Sequence, residues 1–128
     1  MEFDRKKFVK LFLAEAREHI ETINNSLVNM DTNICSEELF DMLMRKAHTV
    51  KGGARMMKLL PISELAHKIE DIFCSAKNNA KTISNQNSKA IFMALDRMKE
   101  HIDLAEQNRE LPINDEQLIK TLILATDN

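Results

Sequence analysis

The pattern of apolar positions is helical along nearly the whole chain. Between Phe8 and Met30, apolar residues recur at every third or fourth position with charged residues between them, as in an amphipathic helix. Three further long segments and one short segment show the same spacing. The pattern predicts helices over about 5–30, 37–60, 62–78, 87–108 and 115–126. No segment shows the alternation typical of a strand.

One apolar stripe runs along each predicted helix, and the stripes together predict the core. Their residues are Phe8, Phe12, Ala16, Ile20, Ile23, Leu27 and Met30; Phe40, Leu43, Ala47, Val50, Ala54 and Met57; Ile62, Ala66, Ile69, Phe73 and Ala76; Ile91, Leu95, Met98, Ile102 and Ala105; and Leu118, Leu122 and Ala125. Asp4 and Ser36 are predicted N-caps. Pro61 predicts that the second helix ends at about Leu59 or Leu60.

Four long amphipathic helices joined by short links predict an all-α fold. The arrangement they favour is an antiparallel up-down four-helix bundle with a short fifth helix docked on it. A length of 128 residues suits a single domain spanning 1–128. We expect this domain to be monomeric.

Composition excludes several classes of function. The chain has 18 Lys and Arg against 20 Asp and Glu, a net charge of −2, so a strongly cationic nucleic-acid binder is not expected. The longest apolar run, Ala90 to Leu95, is too short to cross a membrane, and the polar N-terminal residues favour a cytoplasmic location. Cys35 and Cys74 form no CxxC pair, which favours reduced thiols.

His48 lies on the polar side of the second predicted helix, next to the 2 glycines of the chain. His48, Lys51, Gly52 and Arg55 have the i, i+3, i+4, i+7 spacing of one outward face. An isolated histidine on such a face is usually an ordinary solvated residue. Two adjacent glycines inside a helix, however, cost about 2 kcal/mol relative to alanine. A side chain at position 52 would lean over His48, so the glycines indicate close approach to this imidazole.

The charge around His48 favours an anionic ligand. No acidic residue occurs between Asp41 and Glu64, whereas five basic residues do. Part of this excess suits the negative end of a helix dipole. A cationic surface beside an exposed imidazole also suits a phosphoryl group or the acidic pocket of a partner.

The third predicted helix carries a second pair of polar residues, His67 and Glu70. Their spacing repeats that of His48 and Lys51, and adjacent antiparallel helices would bring the two pairs together. A carboxylate that binds one imidazole nitrogen fixes the tautomer and leaves the other nitrogen nucleophilic. The alternative, a surface histidine and a surface glutamate with no joint role, stays open on spacing alone.

Two runs of the sequence, 47–54 and 64–70, resemble motifs of a known family. The run AHTVKGGA at 47–54 resembles the phosphorylation motif of histidine-containing phosphotransfer (HPt) domains. The run ELAHKIE at 64–70 resembles the companion helix of the HPt domain at the N-terminus of CheA-type chemotaxis histidine kinases. The resemblance covers most of the chain. The residues Arg55 to Lys58 depart from it, since many relatives have smaller residues and a further glycine there, so the second helix is expected to be longer or to end differently.

The resemblance implies a role for each candidate residue. His48 would accept a phosphoryl group, Glu70 would orient and polarise its ring, and His67 would belong to the same hydrogen-bond network. Lys51 would offset the charge of the phosphoryl group. Gly52 would keep the approach open.

The resemblance also implies the partners. ATP and Mg²⁺ would be bound by a separate kinase domain, and the domain itself would bind no cofactor or metal. His48 would pass the group to an aspartate of a response regulator of CheY or CheB type. The domain alone would be a phosphoryl carrier, either part of a protein-histidine kinase or a free-standing protein of a multistep phosphorelay. Binding to nucleic acid and insertion into a membrane are not expected.

Three other classes of function are alternatives to phosphotransfer. A metal-binding bundle would use one histidine from each long helix, namely His19, His48, His67 and His101. Glu64 and His67 have the spacing of a di-iron ligand pair, but no second Glu-x-x-His motif is present. A helix-turn-helix DNA binder would have shorter helices. A purely structural interaction bundle explains the apolar stripes and leaves Gly52 and Gly53 without a reason.

Overall fold

Five helices follow one another in the computed structural model, which describes residues 4–30, 36–79 and 82–127. They are α1 (Arg5–Val28), α2 (Glu37–Met56), α3 (Leu60–Asn79), α4 (Asn85–Glu106) and α5 (Glu116–Asp127). No strand occurs in these ranges. The predicted all-α class is therefore confirmed.

The four long helices pack in a ring, and α5 lies across two of them. α2 packs along α3, α3 along α4, and α1 contacts both α2 and α4. α5 contacts α3 and α4. This is the predicted bundle with a docked fifth helix. Among the described residues, no helix combines the length and apolar character needed to span a membrane.

Most residues of the predicted stripes are buried, and the stripe of α2 is buried throughout. In the first stripe Phe8 keeps 46% of its surface exposed and Phe12 and Met30 are partly buried, while Leu13 is buried in the core at 2% exposure. Successive residues of a helix are rotated by about 100° around its axis. On this spacing Phe8 lies toward the edge of the face of α1 that carries the buried Leu13, Ala16 and Ile20. Leu65, Ile72 and His101 are also buried, although none belongs to a predicted stripe.

α2 ends at Met56, earlier than the predicted Leu59 or Leu60. Lys58 adopts a left-handed backbone conformation with φ 61°, and its N–H donates to the Arg55 carbonyl. The Leu59 N–H donates to the Ala54 carbonyl at 2.8 Å. These two hydrogen bonds form a Schellman motif. The chain therefore leaves the helix by a left-handed residue before Pro61 can end it.

The predicted N-caps are confirmed. The Asp4 carboxylate accepts a hydrogen bond from the Lys7 N–H at 3.2 Å, and the Ser36 hydroxyl accepts one from the Leu39 N–H at 3.1 Å. α4 begins at Asn85 after an N-cap at Ser84, slightly before the predicted start. Cys74 is a free, exposed thiol, and Cys35 lies outside the described residues.

Polar side chains of α4 hold both ends of α5. Before α5 begins, Asp115 accepts hydrogen bonds from Arg97 Nε at 2.6 Å and from His101 Nε2 at 2.7 Å. Near its end, Asn87 Nδ2 donates to the Ala125 carbonyl at 3.1 Å. Burial raises the pKa of Asp115, but the hydrogen bonds from His101 and Arg97 outweigh it, and the net pKa is lowered.

Candidate functional site

The packing of α2 against α3 brings three of the predicted site residues together. His48 Nδ1 lies 2.8 Å from Glu70 Oε2. Lys51 Nζ donates to the other carboxylate oxygen, Oε1, at 2.6 Å. Glu70 therefore bridges two residues that lie one turn apart on α2.

These three side chains differ sharply in exposure. The His48 side chain is 66% exposed, whereas the Glu70 side chain is 17% exposed. Lys51 lies between them at 25%. The imidazole is thus open to a partner, while the carboxylate that holds it is largely sheltered by the two helices.

Burial tends to raise the pKa of Glu70. The hydrogen bonds from Lys51 and His48 outweigh burial, so the pKa of this carboxyl is lowered from its ordinary value. Glu70 is therefore ionised at neutral pH and can only accept hydrogen bonds. A neutral His48 must then carry its proton on Nδ1, which leaves the lone pair on Nε2.

The backbone around this pair is fixed by the core. Ala47 and Val50, on either side of His48 along α2, are buried at 2% and 1% exposure. Ile69, next to Glu70 on α3, is 1% exposed. In addition, the Ser63 hydroxyl of α3 donates to the Lys51 carbonyl of α2 at 3.0 Å. Rotation of either helix would break these contacts, so the His48–Glu70 geometry is built into the bundle.

The surroundings of Gly52 and Gly53 differ, so the two glycines serve different purposes. A Cβ atom on Gly52 would meet nothing within 4 Å, so this position faces open space. A Cβ atom on Gly53 would overlap Cε1 and Cδ1 of the Phe12 ring on α1. Gly53 therefore permits close packing of α1 on α2, a role that sequence reasoning missed. Only Gly52 fits the predicted role of leaving an approach open.

Among the described residues, no hydrogen bond or ion pair joins His67 to His48. Its Nε2 lies 3.6 Å from Asp71 Oδ1, one turn further along α3. The side chain is 51% exposed. A place for His67 in the hydrogen-bond network of His48 stays a prediction, and no hydrogen bond among the described residues supports it.

The four histidines of the metal-binding alternative lie apart, each beside a different carboxylate. Besides the two already described, His19 lies near Glu15 at 3.2 Å and His101 near Asp115 at 2.7 Å. In the described ranges, no three His, Cys, Asp or Glu side chains are grouped so that they could hold a metal ion.

Large apolar side chains are exposed on α2, which carries His48, and on the neighbouring α1. Met56, two turns after His48 on α2, is 76% exposed, and Phe8 on α1 is 46% exposed. Exposed apolar side chains that form a patch are typical of a protein-binding surface. Chemically, the arrangement offers an imidazole that in its neutral form has its lone pair on Nε2, a carboxylate that can stabilise positive charge on the ring, and a neighbouring ammonium group.

The chain is similar in sequence to a known domain family and to several known proteins. The model of the family described as "Hpt domain" matches residues 7–108. Chemotaxis protein CheA of Halobacterium salinarum is 28% identical over 96 residues, which are 75% of this chain and 14% of that protein. Chemotaxis protein CheA of Bacillus subtilis is 23% identical over 122 residues, 87% of this chain and 18% of that protein. The chain thus spans less than a fifth of either relative.

A solved structure shares the fold. It is the phosphorylated P1 domain of CheA3 from R. sphaeroides, in complex with CheY6. The TM-score is 0.79 at 18% sequence identity, and the match covers 94% of this chain and 96% of that one. The match extends well beyond the segment 7–108, so α5 belongs to the shared architecture as well.

Proposed function

Because this chain belongs to the Hpt domain family, we propose that His48 is its phosphoacceptor and that Glu70 orients the ring for the transfer. The observation that carries the proposal is the hydrogen bond of 2.8 Å between His48 Nδ1 and Glu70 Oε2. This contact supports a neutral ring with its proton on Nδ1 and its nucleophilic lone pair on Nε2.

The transfer has two steps. Nε2 of His48 forms a bond to the γ-phosphorus of ATP, and the bond from that phosphorus to the leaving oxygen breaks, releasing ADP. The ring then holds a proton on Nδ1 and a phosphoryl group on Nε2, and the Glu70 carboxylate stabilises its positive charge. In the second step an aspartate oxygen attacks the phosphorus, the P–N bond breaks, and neutral His48 returns.

Lys51 and Gly52 support these steps in different ways. The Lys51 ammonium, 2.6 Å from Glu70, helps to keep that carboxylate ionised and lies beside the incoming phosphoryl charge. Gly52 leaves the space one turn after His48 unfilled, so a partner active site can close over the ring. ATP and Mg²⁺ would be bound by the partner kinase domain, which also supplies the groups that stabilise the transition state.

We further propose that a response regulator of CheY or CheB type receives the group. Met56, two turns after His48 on α2, and Phe8 on the neighbouring α1 are exposed and would offer apolar contact area to a protein acceptor. The fold match is to a P1 domain solved with CheY6, which supports a response-regulator partner.

The CheA relatives are much longer than this chain, which covers 14% and 18% of two of them. Because the chain is similar to part of chemotaxis protein CheA in both organisms, we propose that the domain acts as the phosphotransfer domain of a CheA-type chemotaxis kinase in the cytoplasm. A free-standing phosphotransfer protein of a multistep phosphorelay is the second candidate, and the coding sequence beyond residue 128 separates the two.

The test is phosphorylation by a CheA kinase domain with labelled ATP. We expect label that is lost in acid and stable in base, and none on His48→Gln. His19→Gln, at a histidine of α1 that lies beside Glu15, serves as the matched control and should keep most of the label. Label that survives His48→Gln would show that another residue is the acceptor. Addition of a CheY-type regulator should then remove the label from the wild-type domain.

A further inference from the structure

A groove separate from the His48 site lies at the end of the bundle where α1 begins and α4 ends. It has a volume of about 600 Å³. Its rim carries Arg5, Lys6, Lys10 and Arg109, and its floor is formed by Val9, Leu13, Leu59 and Ala105. We call this feature the basic groove.

The rim of the basic groove is strongly cationic in a chain whose net charge is −2. Among the described residues that line it, Glu106 is the one carboxylate, and Arg17 forms an ion pair with it. Arg5 donates a hydrogen bond to the Met57 carbonyl, which holds its guanidinium at the rim. The positive charge is therefore concentrated here and is poorly balanced by neighbouring carboxylates.

The floor of the basic groove is apolar. Leu13 is 2% exposed, and Val9, Leu59 and Ala105 are partly buried hydrophobic residues packed against the core. A small inorganic anion would leave this surface uncovered. The floor and rim together favour a ligand that has an aliphatic side as well as carboxylates.

The lining does not resemble a nucleotide site. None of the described lining residues is aromatic, so no ring is present to stack on a base. The start of α1 offers no phosphate cradle either, because Asp4 already caps the Lys7 N–H and a carboxylate at this position repels a phosphate. A concave groove also fits a peptide better than a flat lipid surface.

We propose that the basic groove binds an acidic amphipathic peptide segment of a partner protein. Aliphatic side chains of that segment lie on Leu13 and Leu59, and its carboxylates pair with Lys6, Lys10 and Arg109. The basic groove lies between α1 and α4, whereas His48 and Glu70 lie between α2 and α3. Binding there is therefore separate from phosphotransfer and can hold a partner while His48 reacts.

The experiment is an NMR titration of the ¹⁵N-labelled chain with a helical peptide of about four turns. The peptide carries leucines on one face and glutamates on the other, and a second peptide carries lysines in place of the glutamates. We expect saturable shifts at the start of α1, the end of α4 and Leu59 with the acidic peptide alone. Affinity should fall as salt is raised from about 50 to 300 mM, because rim charges are screened.

Charge reversal provides the control. The double variant Lys6→Glu, Lys10→Glu should weaken binding by about tenfold or more. The variant Lys89→Glu, Lys120→Glu changes net charge equally at exposed positions elsewhere and should bind as the parent does. Both should accept phosphate on His48 at the parent rate, so failure of this proposal is distinguishable from failure of the proposed function.

Several outcomes would overturn the proposal. Shifts that map to the surface around His48, equal binding of the two peptides, or no saturation would each exclude an acidic-peptide site in the basic groove. Saturable binding of ATP there would assign the groove to a nucleotide instead. Binding to vesicles containing anionic lipid, lost in Lys6→Glu, Lys10→Glu, would assign the surface to a membrane.

Discussion

Nδ1 of His48 and Oε2 of Glu70 lie 2.8 Å apart, although the residues are separated by 22 positions and belong to different helices. The contact depends on the rotation of α3 against α2, which the core fixes on both sides. A nucleophile placed on the surface of a helix thus gains a defined tautomer without being buried. The imidazole can therefore be oriented by Glu70 and still be accessible to a partner protein.

Removal of the Glu70 carboxylate should slow phosphorylation of His48. Loss of a hydrogen bond to a charged group costs about 1.5–3 kcal/mol, which corresponds to about 10- to 100-fold in rate. The measurement is the initial rate of labelling of Glu70→Gln by a CheA kinase domain, with circular dichroism to show that the fold is kept. Glu64→Gln, an exposed carboxyl on α3, is the control. A wild-type rate in Glu70→Gln would show that the carboxylate does not orient the ring.

The stripe of α2 could be predicted from the sequence because the helical period is a local property. The end of α2 could not, because Lys58 takes a left-handed conformation (φ 61°) that is unusual for a lysine. Glu70 and His67 are one turn apart on α3, so spacing alone suggested a joint role. Which of the two meets His48 depends on how α3 is rotated, and that is set by tertiary packing.

The Phe12–Gly53 contact also lay beyond the sequence pattern. Both residues are on predicted helices, but the distance between the axes of α1 and α2 is set by all the side chains between them. An adjacent glycine pair suggested a single role for both positions. The structure separates them, since one glycine faces open space and the other lies under an aromatic ring.

Alanine at position 53 should destabilise the domain. A Cβ atom there would overlap the Phe12 ring, which is partly buried and packed against the core. Overpacking of this kind costs about 1–3 kcal/mol, more than the gain of about 1 kcal/mol from replacing a helical glycine. Urea unfolding of Gly53→Ala should show a lower midpoint. In a Phe12→Ala background the ring is absent and there is no overlap. Adding Gly53→Ala to that background should therefore not lower the urea midpoint.

Alanine at position 52 should have the opposite effect on stability. With nothing within 4 Å of the new Cβ, the variant should gain about 0.5–1 kcal/mol in the free energy of unfolding. A bulkier side chain, as in Gly52→Leu, should keep that stability and slow both phosphorylation and transfer to a regulator. Unfolding curves and transfer rates on the same samples check both parts. A fully active Gly52→Leu would show that the space is not needed.

Replacement of Met56 should impair transfer to a response regulator while leaving the fold intact. Met56 is 76% exposed, so Met56→Asp should change stability by no more than about 0.5 kcal/mol. In the proposed interface it would place a charge in an apolar contact, and the observed transfer rate should fall. Met93→Asp alters another exposed methionine, 56% exposed on α4, and should transfer normally. Equal rates in the two variants would remove Met56 from the docking surface.

Acid should weaken the attachment of α5 through Asp115. Burial tends to raise the pKa of this carboxyl, but the hydrogen bonds from His101 and Arg97 have the larger combined effect. The net pKa is therefore lowered. A lowered pKa contributes stability above the pKa of the unfolded chain, about 3.9, and that contribution is lost as pH falls through the folded value. The unfolding free energies of the parent and Asp115→Asn should therefore differ at neutral pH and converge in acid. If the difference in unfolding free energy between the two proteins stayed constant as pH falls, ionised Asp115 would not be what attaches α5.

The attachment of α5 at both of its ends also bears on where the domain can be cut. The family model ends at residue 108, before Asp115 and Ala125, which bind side chains of α4. A fragment ending there would leave His101, fully buried in the whole chain, without its carboxylate and would uncover the apolar surface beneath Leu122. We therefore expect the smallest stable fragment to extend beyond the limits of the recognisable sequence family, through α5.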